Sequence, residues 1–146
     1  MSTSLRERIL QAVASRVQGV ATASGARFVR QPVLGIPTEQ APALVMMFDG
    51  EQVLDRSALH TTREISLRVG ALTRNTNDTA DLTAADALLV LAHAALLADT
   101  TLGGLALALD EQGAELETAD TADVAVLLAQ RYAVRYRTRT AALDVA

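Results

Sequence analysis

The sequence predicts an α+β domain. A mixed, mainly antiparallel β-sheet of four to five strands packs against two α-helices, in the order α-β-β-β-α-β-β. Two segments, residues 4–18 and 79–98, space their apolar side chains as a helix does. Several others alternate with the period of two that a strand imposes. Polar stretches bearing glycine or proline separate them. The 146 residues fit one domain, 1–146, whose tail is expected to fray, from Leu143 onward or over 141–146 as a whole.

In the first segment Ser4 stands three residues before Glu7, the spacing of a capping box. Leu5, Ile9, Ala12, Val13 and Val17 share one stripe, and Gly19 is placed to end the helix. A short strand is expected over 26–31. Pro32, Gly35, Pro37 and Pro42 then interrupt any regular structure. The run ALVMMF, residues 43–48, reads as a strand that Asp49-Gly50 either turns or bulges. Residues 60–73 alternate as a half-buried strand, antiparallel to the previous one if the connection is short. The cluster RNTND follows, and Asp78 or Asp81 is placed to cap the second helix.

That helix carries Leu82, Ala85, Leu88, Leu89, Ala92 and Leu96 on one face, widened by Val90, Leu91 and Leu97. So broad an apolar surface requires cover, from the sheet and first helix or from a neighbouring subunit. Residues 99–105, DTTLGGL, read as a turn. They follow a helix and contain no lysine, the reverse of a phosphate-binding loop. A strand is expected over 105–117. Leu105, Leu107 and Leu109 have one parity and Leu116 the other, so a bulge at Gly113 is needed. The polar run TADTAD leads to the longest alternating stretch, residues 124–140. One face of it holds Val126, Leu128, Gln130, Tyr132, Val134 and Tyr136, and the other holds Arg131, Arg135, Arg137 and Arg139.

The composition restricts function. There is no cysteine, which excludes disulfides and thiolate metal sites. All 13 basic residues are arginine, yet the net charge is -4, which does not fit a general nucleic-acid binder. No signal peptide or membrane-spanning run is visible, so a soluble, intracellularly made protein is expected. Six acids lie in residues 110–123, among them Asp110, Glu115 and Glu117; at a hairpin edge they read as a solvated face. They can also pair with the arginine row within one subunit, or meet it head to tail in the next. His93 on the second helix and His60 on a strand have no partner in register. No catalytic constellation, metal set or cofactor site emerges, and a non-enzymatic role is expected.

Three phrases resemble the tail terminator proteins of long-tailed bacteriophages, the minor tail protein U-like family. They are LRERILQAVASRV with its proline-bearing link to ALVMMF; TREISLRVGAL with the alanine/leucine helix ending LLADTTLGGLAL; and EQGAELE followed by RYAVRYRT. The resemblance spans residues 5–139. It implies a small α+β subunit that forms a ring, typically a hexamer, at the head-proximal end of the tail tube. The ring stops tube polymerisation and offers a surface to the head. The implied partners are further copies of the chain, the major tail tube protein and the head–tail connector protein. No membrane or sequence-specific nucleic acid is implied; the lumen gives the genome room to pass. The implied location is the virion, after synthesis in the host cytoplasm. On that reading Arg131, Arg135, Arg137 and Arg139, with Asp110, Glu115 and Glu117, are expected at the subunit interface or lumen. The alternatives are another neck or tail-completion protein and a small ligand-binding α+β domain.

Overall fold

The computed structural model describes residues 2–31, 41–74, 82–118 and 125–146. Its elements are α1 (Leu5–Ala23), β1 (Arg27–Arg30), β2 (Ala43–Arg56), β3 (His60–Arg74), α2 (Leu82–Leu97), β4 (Ala108–Thr118) and β5 (Ala125–Arg139). Class and order are those predicted. The strands form one five-stranded sheet in the order β1-β2-β3-β5-β4, with β1 parallel to β2 and the other neighbours antiparallel. The bends at Pro32, Gly35 and Pro37, the caps at Asp78 or Asp81, the RNTND turn and the acids Asp120 and Asp123 lie outside the described residues.

Ser4 caps α1, its hydroxyl accepting the Glu7 N–H at 3.1 Å. The reciprocal half of the box is not made, because the Glu7 carboxylate accepts from Arg30 at 2.9 Å instead. The helix passes through Gly19 and ends at Ala23. Ala21 is still buried in the core, so packing carries the helix one turn beyond the glycine. Gly25, at φ +71°, makes the stop instead. Its N–H donates to the Thr22 carbonyl at 3.3 Å and the Ala26 N–H to the Ala21 carbonyl at 2.9 Å, a Schellman motif.

At Asp49-Gly50 the chain bulges and continues, and pairing with β3 resumes at Gly50↔Ser66. In β4 the expected bulge falls between Glu111 and Gly113. It places Leu109 and Leu116 opposite Val134 and Leu128, on one face of β5. The strand itself begins at Ala108 rather than Leu105, because Leu102, Gly103 and Gly104 all hold positive φ in the turn before it. The tail is hydrogen-bonded back to the fold. Leu143 O accepts the Leu5 N–H at 2.9 Å, and Val145 O accepts the Arg139 N–H at 2.8 Å.

Both helices cover one face of the sheet. Ile9, Val13 and Val17 of α1 and Ala85, Leu89, Ala92 and Leu96 of α2 pack with Ile65, Leu67, Val69, Tyr132, Val134 and Tyr136. The opposite face carries the arginines of β5. Alternation along β5 therefore separates a buried side from a charged one, as its sequence predicts.

Candidate functional site

The charged face is built by register. Arg68 of β3 lies directly opposite Arg131 of β5, a pairing that repels unless it is neutralised. Three carboxylates neutralise it. Arg68 Nε and Nη2 donate to the two oxygens of Asp49 at 2.8 and 3.0 Å, and Nη1 donates to Glu117 at 3.0 Å and Glu115 at 3.4 Å. Asp49 is the residue skipped by the β2 bulge. Arg131 Nη2 donates to Glu115 at 2.6 Å. The Asp49 hydrogen bond, before all other causes, raises the Arg68 pKa, and the Arg131 hydrogen bond leads in holding Glu115 below the usual carboxylate range. Arg135 pairs at 3.0 Å with Glu64, its register partner on β3.

These contacts divide the predicted set. Arg131, Arg135, Glu115 and Glu117 form ion pairs within the subunit. Arg137, Arg139 and Asp110 are exposed, and their side chains have no partner among the described residues. Arg68, Asp49 and Glu64, which complete the network, were not singled out by sequence. The signal was present in Arg68 and Glu64, which share the polar parity of the third strand.

A cleft of ≈ 540 Å³ opens between α2 and the β4–β5 edge, lined by Asp86, Leu89, Val90, His93, Glu111 and Gln130 among others. His93 is not alone there, contrary to expectation. Its Nδ1 lies 2.8 Å from Tyr132 Oη, the rings stack at 5.8 Å, and its Nε2 is 3.8 Å from Glu111. Gln130 donates to Glu111 as well. Burial, with the Glu111 charge second, pushes the Tyr132 phenol up, so it remains a protonated hydrogen-bonding group at ordinary pH. Sequence spacing hid this group because its partners come from other elements. Among the described residues the cleft lining contains no serine, threonine or cysteine nucleophile. Its chemistry is that of an apolar slot with carboxylates at the rim, suited to a cationic, partly apolar group. The other histidine, His60, is exposed and its ring has no partner among the described residues.

α2 leaves much of its apolar surface uncovered. Val90 is 59% exposed and Leu91 51%, and Leu82 and Leu97 are exposed too. The sheet and α1 therefore provide only part of the cover that the sequence requires. Among the described residues no group of His, Asp or Glu could hold a metal ion, and no helix is long and apolar enough to cross a membrane.

No family model and no curated protein sequence matches the chain. Solved structures do match. One is described as "Virion of native gene transfer agent (GTA) particle"; the alignment covers 86% of this chain and 91% of that one, at 14% identity and a TM-score of 0.45. A likeness at that score carries no functional weight, and the residues themselves must supply the reading.

Proposed function

We propose that the chain is a structural, non-enzymatic virion subunit: a ring-forming tail terminator that caps the head-proximal end of a tail tube. The observation that carries an assembly role is the uncovered side of α2. Large apolar side chains exposed on a domain otherwise able to bury its core mark a surface made for a partner. The resemblance of residues 5–139 to tail terminators supplies the kind of assembly. On this reading the ring contacts the last tube ring by one face and presents no site for a further tube subunit. Its other face offers the head connector a platform. The ring is a hexamer on the virion. Another neck or tail-completion protein would use the same surfaces, and tail length separates the two.

The test is deletion of the gene followed by electron microscopy of the lysate. Overlong tubes and unjoined tails are expected, restored by the gene supplied in trans. Normal virions would contradict the proposal. The His93 cleft favours a second reading, a ligand-binding domain, for which normal virions after deletion would be the expected result.

A further inference from the structure

The charges of this chain are segregated along it. Ten acidic residues and no lysine or arginine lie between Arg74 and Arg131, while all 13 arginines lie outside that stretch with the other seven acids. Folding neutralises part of the difference internally. Asp99 pairs with Arg16, and Glu115 and Glu117 with the arginines of the sheet face. At the corner formed by α2 and β4 the compensation stops. Asp86 has no partner among the described residues, and there Glu111 meets only Gln130 and His93. Exposed Val90 lines the same cleft as Asp86 and Glu111.

A second surface has the opposite character. β4 stops pairing at Ala108↔Arg135, whereas β2, β3 and β5 run on to Arg56↔Thr61 and His60↔Arg139. The sheet thus ends in a three-stranded projection. It carries Arg56, Arg137 and Arg139, exposed and without side-chain partners among the described residues, and exposed Leu54 and Leu59, the latter at 73%. Asp55 and Asp144 are the acids at that end, and Arg8, which donates to the Asp144 carbonyl, adds a further positive charge.

We infer that the basic end of the sheet in one copy docks on the acidic α2–β4 corner of the next. Guanidinium groups of Arg137 and Arg139 would face Asp86 and Glu111, with Leu59 against Val90. The two surfaces are distinct, since β4 pairs with β5 only as far as Ala108↔Arg135 and Arg137 and Arg139 lie beyond its end. The contact is therefore heterologous: each copy offers a donor and an acceptor surface, and repetition closes a ring when the rotation allows. Pairing two basic ends, or two acidic corners, would oppose like charges. The inference rests on the ring reading for its setting and sharpens it, because Arg131, Arg135, Glu115 and Glu117 are paired within the subunit, among themselves or with Glu64 and Arg68.

The absence of cysteine makes the test direct. Leu59→Cys and Val90→Cys, both at exposed positions, are mixed as separate variants of the full chain at high concentration and oxidised. Disulfide-linked dimer is expected at about tenfold the yield from Leu59→Cys mixed with Ser15→Cys, a control on the exposed side of α1. Adding Asp86→Arg and Glu111→Arg to the Val90→Cys copy should abolish the excess, and Arg137→Glu with Arg139→Glu in the Leu59→Cys copy should restore it. A yield no higher than the control, or one indifferent to charge reversal, would overturn the docking proposal. Tail length in the deletion lysate is scored separately. Specific cross-linking with normal tails would keep the docking mode and reject the terminator role, and overlong tails without cross-linking would do the reverse.

Discussion

Glu51 holds together three distant parts of the chain. Its Oε2 lies 3.2 Å from Arg6 of α1 and 3.5 Å from Arg63 of β3, and its other oxygen accepts from Tyr136 of β5. The Glu51 and Arg63 side chains are only 10% and 13% exposed. Removing the carboxylate strands charge in a poorly hydrated place, so Glu51→Ala is expected to destabilise the fold by about 3 kcal/mol. Tyr136→Phe, which removes one hydrogen bond, should cost about 1 kcal/mol. Urea unfolding measures both, and equal effects would contradict the ion-pair account. Burial, ahead of Glu51, also pushes the Tyr136 phenol up. None of this was legible in sequence, because the partners lie 45 and 85 residues from Glu51 and no local pattern joins them. Asp99 was half legible. DTTLGGL reads as a turn, but not that the Asp99 carboxylate organises it, accepting from Thr101 Oγ1 at 2.6 Å and from the Gly103 N–H at 2.9 Å. The Thr101 side chain first, and then the Gly103 and Thr101 amides, lower its pKa from 3.8 to about 2. A depressed folded-state pKa gives stabilisation that is complete above 3.8 and lost as pH falls towards 2. Between those values the stability of Asp99→Asn should therefore fall less steeply with acid than that of the parent. Parallel curves in acid unfolding would exclude this role.

Elements were read well where a period runs uninterrupted and poorly where packing decides an end. The alternation of β5 and the parity fault in β4 depend only on which side of a strand each residue faces. Hence the strand and the bulge at Gly113 were visible in the sequence. The end of α1 depends on whether Ala21 finds a neighbour, which no local rule reveals, and Gly19 consequently misled. Gly113 also supports a prediction. It holds φ +130°, and an added Cβ would meet nothing within 4 Å, so a substitution is opposed by backbone strain alone. Gly113→Ala should cost about 1–3 kcal/mol in thermal unfolding. A neutral result would mean that β4 shifts register without the bulge.

For the whole molecule, the sheet's charged face resolves part of the question the sequence left open. Arg131 and Arg135 are intramolecular partners because Glu115 and Glu64 stand beside them in space. Arg137 and Arg139 lie past the end of β4, where no neighbouring strand supplies a carboxylate. The cleft at His93 was illegible for the same reason as Glu51, since α2, β4 and β5 each contribute to it. Breadth of apolar surface on α2 was legible, and folding covers only part of it. On the proposed reading, the unpaired basic and acidic ends and the open apolar helix face are the surfaces that meet other subunits. The central claim is that such a subunit stops tube growth. Its most direct test is the distribution of tube lengths in lysates of the gene deletion, with and without the chain supplied in trans. A broad distribution reaching well beyond the normal length, restored to one narrow peak by the intact chain, is the expected result. A narrow peak at normal length without the chain would contradict the account.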